Sequence, residues 1–527
     1  MIGIRALLIA GCSVALCGTN AWATDFYVKP VTPGPVAGTP LGAVNLQAST
    51  ERETEEKPRA FSKRLRTTVN ERGNTAGKWL RSGSEKAIGT ASATGGTTAT
   101  TTTSSGATTT TAPSSTTSTA TAPVTLVQST SSNAGPAWNS VDELLKSGKV
   151  QAGDRILLMG GYYGALNIRN ARFSAPVTIE PVPGQIAHAE SMTVRASSNL
   201  IIQGLKLWAL TENHPVNQVV RSYADASNIT FNNMDVRAYK DSANYMNWSQ
   251  ATWLANQRSG FFLQGPNVTI QNSRATGVYF GIQTTGANGA ILNNIVDGFA
   301  GDGMRALGDN SLVQGNKLQN CFQINANHAD GFQSFTVDPV TRKAGQGVQT
   351  GLKIIGNKIV EWTSSSTNPL RCKLQGIGMF DGMFDDLVVQ NNLIVSSHYH
   401  GITVAGTRRA KIVNNTVVNM TGGTSKYPWI KVTHHKNGTL SSDVTIANNI
   451  ANQVAPLAAT IANSLVTNNI VPVWSRDFTA PRTLDFSLTT GSPAADAGTA
   501  TFAPKDDILL APRPKGKGPD IGAYESR

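Results

Sequence analysis

The chain has 527 residues, of which 15% are charged and 7% aromatic, with 50 glycines and a formal net charge of +12. Abundant turn residues and sparse charge argue against a helical protein and for a turn-rich β architecture. The positive charge calls for an anionic partner. Its basic residues are scattered, without a finger, helix-turn-helix or ribonucleoprotein pattern, so an acidic polysaccharide is expected and nucleic acid is not.

Met1 to Ala23 reads as a secretory signal peptide, with Arg5, an apolar run from Ala6 to Leu16, and Ala21-Trp22-Ala23 as the cleavage site. Ile9-Ala10-Gly11-Cys12 also reads as a lipoprotein box, although the apolar run before it is short. The expected location is therefore periplasmic, cell-surface or fully secreted. No later apolar run reaches the eighteen residues of a membrane span. Cys12 and Cys17 belong to the leader. Cys321 and Cys372 remain, either paired in an oxidising compartment or separately buried. Neither has a partner at metal-ligand spacing.

Residues 24–88 form a charged segment expected to be poorly ordered, apart from a strand-like start at Asp25-Phe26-Tyr27-Val28. Residues 89–135 are almost wholly Thr, Ser, Ala and Gly, the composition of a flexible spacer. Order is expected over 136–527. Ser140 and Glu143 make a capping box, and Val141, Leu144 and Leu145 share one face of a short helix. Such a helix would cover the open end of a solenoid.

Short β-branched runs that end in asparagine recur downstream. Asn233, Asn272, Asn294, Asn316, Asn357, Asn392, Asn415, Asn449 and Asn469 follow one another at 39, 22, 22, 41, 35, 23, 34 and 20 residues. The short intervals fit one coil of three strands and tight turns, and stacked asparagines would make an internal hydrogen-bonded ladder. The long intervals leave loops that would wall a cleft. The expected fold is an all-β solenoid with a short N-terminal capping helix, and a monomer is expected.

Glycines locate the candidate site. Gly281, Gly303, Gly331, Gly376 and Gly401 fall in register, each followed by an apolar residue: Ile282, Met304, Phe332, Ile377 and Ile402. Alternation then places Gln283, Arg305, Gln333, Gly378 and Thr403 on the outer face, with Asp302, Asp330 and His400 just before their glycines. At about 4.8 Å per coil these side chains form one stripe. His328 lies within the longest interval, between Asn316 and Asn357. Trp429 and Lys431 share a face of the following segment and suit a charged sugar ring.

Residues from about Trp138 onward resemble the secreted right-handed parallel β-helix repeat proteins of the pectate-lyase-like superfamily. The resemblance rests on Gly160-Gly161-Tyr162-Tyr163, Gly491-Ser-Pro-Ala-Ala-Asp-Ala-Gly498 and Pro519-Asp-Ile-Gly-Ala-Tyr-Glu525. It implies lyase or C5-epimerase chemistry on a uronate-containing polysaccharide. Arg305 would then bind the sugar carboxylate, His328 or His400 would remove the C5 proton, and Asp302 and Asp330 would orient them or hold a Ca²⁺. Gln283, Gln333, Thr403, Trp429 and Lys431 would contact substrate. The Lys-Ser and Arg-His-Gly motifs of alginate lyases, and the Asp-Pro-His-Asp of periplasmic alginate epimerases, do not occur. Two alternatives remain. A polygalacturonase-like hydrolase would draw on His328-Ala-Asp330, Asp385-Asp386, His400-Gly401 and Arg409-Ala-Lys411, although Asp385-Asp386 is off the glycine register. A non-catalytic solenoid would only hold polysaccharide.

Overall fold

The computed structural model of the chain describes residues 23–31, 136–423 and 425–526. The signal peptide up to residue 22, most of the charged segment and the whole spacer lie outside the described residues. Among those described, the chain winds three long parallel sheets, one of 13 strands and two of 11, into a β-helix. Each coil gives one short strand to each sheet in turn. A continuous apolar core runs up the middle, from Val28 and Ile156 through Phe231, Phe299 and Phe332 to Ile446.

The helix Val141–Lys146 covers the N-terminal end. Glu143 N donates to Ser140 Oγ at 3.1 Å, and Val141 and Leu144 are buried. The reciprocal bond is displaced by one residue: Asn139 N, rather than Ser140 N, donates to Glu143 Oε2 at 3.3 Å. The strand-like start belongs to the helix itself and not to the segment before it. Asp25–Val28 pairs in parallel with Arg155–Leu158 and forms the first rung of the 13-stranded sheet. Thr24 N donates to Asp154 Oδ1 at 2.8 Å, which fixes the rung's start.

The asparagine ladder forms from Asn294 through Asn316, Asn357, Asn392, Asn415 and Asn449 to Asn469. Asn316 is typical: its backbone N and its Nδ2 donate to Asn357 Oδ1 at 3.0 and 2.9 Å, and Nδ2 also reaches Ile291 O at 2.8 Å. The amides from Asn294 to Asn449 are buried and bonded from coil to coil, so removing one leaves its neighbours unsatisfied. Asn233 and Asn272 are not part of it. They occupy the position one residue earlier, with left-handed φ of 52° and 50°, and Asn293, Asn391, Asn414 and Asn448 continue that column. Two adjacent asparagine columns therefore exist, one serving backbone conformation and the other hydrogen bonding. At Asn272's coil, Ser273 stands in for the ladder amide and its N donates to Asn294 Oδ1 at 2.9 Å.

Cys321 and Cys372 form a disulfide, Cα–Cα 5.4 Å. It ties the loop before the strand Gln375–Asp381 to the end of the strand Lys317–Cys321. The long intervals become loops along both edges of the sheet that runs from Ala165–Arg169 to Gln453–Val454, which we call the groove sheet. One edge carries 240–258, 322–329, 361–374 and 419–428; the other carries 336–347 and 434–443. The first edge has its own aromatic core, built from Tyr245, Trp248, Trp253, Phe322 and Trp362. Among the described residues no helix is long and apolar enough to cross a membrane.

Candidate functional site

The glycine register holds on the groove sheet. Ile282, Met304, Phe332, Ile377 and Ile402 are successive register partners and all are buried. The reason for glycine is steric: a Cβ at Gly331 would strike Ile359, and one at Gly401 would strike Val417. The outward column follows as Gln283, Arg305, Gln333, Gly378, Thr403 and Lys431. This column and its neighbours divide into two parts.

The first part is a carboxylate cluster. Asp302 pairs with Arg305, whose Nε donates to Asp302 Oδ2 at 2.5 Å. Asp302 Oδ1 accepts Asp330 N at 3.0 Å, and Gln333 Nε2 donates to Asp330 Oδ2 at 2.9 Å. The Arg305 guanidinium lies 4.3 Å from the Phe280 ring centre and 5.8 Å from that of Phe335. Arg305 and Asp330 are each only 2% exposed. Outward residues were expected to face solvent or substrate, but here flanking rings bury them. Arg305's fork is turned onto Asp302 rather than held open for a sugar carboxylate. Gln283 is buried in the same column, one strand before Arg305.

Burial pushes both carboxyls up. Asp330 rises furthest, because it also faces the charge of Asp302, whereas Arg305 lies against Asp302. Asp330 Oδ1 is buried without a partner. It packs where a Gly378 side chain would be, next to the Phe380 ring. A Ca²⁺ held by Asp302 and Asp330 would have to displace Arg305, since both Asp302 oxygens already have donors. Among the described residues no three His, Cys, Asp or Glu side chains group as a metal set.

The second part begins two strands further on, roughly 10 Å along the ladder. His400 Nδ1 lies 2.8 Å from Thr403 Oγ1, which accepts Trp429 Nε1 at 3.0 Å. His398, which the sequence reading did not single out, stacks on His400 at 5.3 Å, and its Nδ1 accepts His400 N at 3.1 Å. Tyr399 and Tyr427 pack edge-on to Trp429 at 5.2 and 5.3 Å, and Lys431 Nζ lies 4.8 Å from the Trp429 ring centre. Tyr427 is 45% exposed. Burial lowers His398 to about 4 and His400 to about 3, helped by the charges of His328, Lys373 and Lys431. His328 is exposed on the wall of this part. Phe380 stands between the two parts, its ring 4.8 Å from that of His400.

His328 and His400 thus come together, as do Asp302, Arg305 and Asp330, but the two sets are separate. Asp385 and Asp386 lie elsewhere, at the end of a strand of a small three-stranded sheet and in the bend after it, where Arg408 Nε meets Asp385 Oδ1 at 2.8 Å and Arg409 Nε meets Asp386 Oδ1 at 2.7 Å. Glu361 was also missed. It is a buried carboxylate that accepts Arg371 Nε at 2.9 Å and Ser397 N at 2.8 Å, pinning the loops beside His398. The only signal for His398 was its place in Ser397-His398-Tyr399-His400, an i, i+2 pair that a bend turns to one side.

No curated protein matches the sequence. Among solved structures, a pectate lyase is similar at 16% identity, covering 74% of this chain and 92% of its own, with a TM-score of 0.37. A rhamnogalacturonan lyase is similar at 13% identity, covering 70% and 92%, with a TM-score of 0.38. PfbA, a surface adhesin of Streptococcus pneumoniae, is similar at 13% identity, covering 61% and 77%, with a TM-score of 0.33. The family model described as "Right handed beta helix region" matches residues 216–417. With its three parallel sheets and one strand per sheet in each coil, and with the family model over residues 216–417, the chain folds as a right-handed parallel β-helix.

Proposed function

We propose that the protein acts on an acidic, uronate-containing polysaccharide laid across the groove sheet, by removing the sugar's C5 proton as a lyase or C5-epimerase. The observation that carries this reading is the second part of the site, where imidazoles, half-buried aromatic rings and Lys431 meet with no carboxylate among the groups that shift the two histidines. Aromatic faces and edges suit sugar rings, and the lysine suits their charge. His328 is the proposed base, because it is exposed on the wall of the site and a neutral imidazole carries a nitrogen that can take a proton. Asp302, Arg305 and Asp330 brace the floor of the groove.

A hydrolase needs two carboxyl groups flanking the scissile bond. Asp302 and Asp330 are buried, and Asp385 and Asp386 are bound to arginines at another corner. That favours proton abstraction over hydrolysis.

The test is incubation of the protein with a panel of acidic polysaccharides, with and without Ca²⁺, following ultraviolet absorbance, reducing ends and proton exchange at C5. Rising absorbance marks a lyase; exchange without cleavage marks an epimerase. Reducing ends without absorbance would overturn the reading in favour of a hydrolase. Binding with none of the three signals would leave a polysaccharide-holding solenoid.

A further inference from the structure

His398 and His400 each have one ring nitrogen already engaged. His398 Nδ1 accepts a backbone N–H, that of His400, at 3.1 Å. A nitrogen that accepts carries no proton, so neutral His398 holds its proton on Nε2. The case of His400 runs through two residues. Trp429 Nε1 can only donate, and it occupies one lone pair of Thr403 Oγ1 at 3.0 Å. Oγ1 keeps a second lone pair, but Thr403 is buried and, among the described residues, His400 Nδ1, 2.8 Å away, is the one acceptor within reach of its hydroxyl proton, which would otherwise go unsatisfied. Neutral His400 therefore also holds its proton on Nε2. Neither Nε2 has a protein partner among the described residues.

We infer that His398 and His400 are paired neutral N–H donors that seat an anionic oxygen of the substrate, a sugar carboxylate, and that Thr403 and Trp429 are the positioning residues that set the tautomer of His400. The inference rests on the proposed proton-abstraction reading and sharpens it, because a ring whose outward nitrogen already bears a proton is not a base. The base role then falls to His328 alone. Charge around the pair agrees with an anion seat. The titratable groups nearby are His328 from the loop 322–329, Lys373 from the loop 361–374, Tyr399 beside the pair, Tyr427 from the loop 419–428, and Lys431 on the strand Trp429–Thr433. The carboxylate beside them, Glu361, is taken up by Arg371 and by Ser397 N and Oγ, and it is not among the groups that shift either ring. With Lys373, Lys431 and partly buried aromatic walls around them, the imidazoles gain nothing by taking a second proton. A neutral donor in such a site still stabilises the charge that develops on the carboxylate as the C5 proton leaves.

The test is long-range ¹H–¹⁵N spectroscopy of the full-length protein labelled at histidine ring nitrogens, which needs no turnover. The expected result is the Nε2–H form for both rings at pH 7, still neutral at pH 5. Proton-bearing Nδ1 on either ring, or an imidazolium at pH 6, would overturn the inference. Tetragalacturonate or tetramannuronate should shift both Nε2 signals, and maltotetraose should not. No shift with either acidic probe would also overturn it.

Thr403→Val should move His400 toward a mixture of tautomers and Thr403→Ser should restore it; Trp429→Phe tests the same link if the valine variant does not fold. His400→Gln, which keeps a donor, should retain affinity for the acidic probe within about threefold, whereas His400→Leu loses about tenfold or more. Equal affinity in both variants would show that His400 gives the carboxylate no donor. Absence of turnover on every polymer would defeat the proposed function without touching the tautomer result.

Discussion

The two halves of the outward stripe share a register and a sheet but differ in where their polar groups point. Around Arg305, the cation, the carboxylates and an amide are turned mostly onto one another and roofed by Phe280 and Phe335. Around His400, each imidazole keeps one nitrogen unspent, and the rings are only partly covered. Equivalent positions on a solenoid thus become structural or available for chemistry according to what packs over them. Burial, more than residue type, separates the two.

The largest expected effect breaks the first half. Arg305→Ala leaves Asp302 and Asp330 buried without their cation, and should cost about 3–5 kcal/mol in urea unfolding. A loss below about 1 kcal/mol would mean the cluster is wetter than its burial implies. In the second half the effect should fall on activity instead. His328→Ala should lower turnover about 10²–10⁴-fold while unfolding stability stays within about 0.5 kcal/mol, as befits an exposed side chain.

Stability against pH should carry opposite signs in the two halves. Asp330 has a raised value in the folded state, so the folded protein binds the extra proton. Its contribution is present in acid and is lost as pH rises from about 4 through the raised value. Asp330→Asn should abolish that loss and leave the variant more stable than the parent at neutral pH. His398 and His400 are lowered to about 4 and about 3, so their contribution is present above about 6.5 and is lost as pH falls toward those values. Replacing both with Gln should flatten the acid limb. Identical slopes for the two variants would refute the division of the stripe. The smallest effect is expected at the rim: Tyr427→Ala should weaken polysaccharide binding by about 0.5–1.5 kcal/mol, read as a several-fold rise in KM with kcat unchanged.

Much of the fold was legible because a solenoid writes its period into the chain. The glycines mark where neighbouring sheets leave no room for a Cβ, and the apolar residue after each marks the inward face. The asparagines were legible as a recurrence but not as two columns, since a left-handed turn residue and a buried ladder amide differ by one position and share a side chain. Arg305 was legible as outward-facing, but its capture by Asp302 was not. The pairing depends on a Phe280 ring from the coil before and a Phe335 ring from the coil after. His398 was overlooked because nothing in a single strand's pattern says that a bend will stack it on His400.

The sequence by itself determined the winding, the register of the stripe and the side of the sheet on which it lies, because strand alternation and backbone sterics are local and repeat with every coil. Only the tertiary structure decided which outward residues are roofed, which nitrogen of each histidine is free, and that Cys321 reaches Cys372. Those outcomes depend on side chains brought together from different coils and loops, where burial, hydrogen-bond partners and charge are set by neighbours distant in the chain.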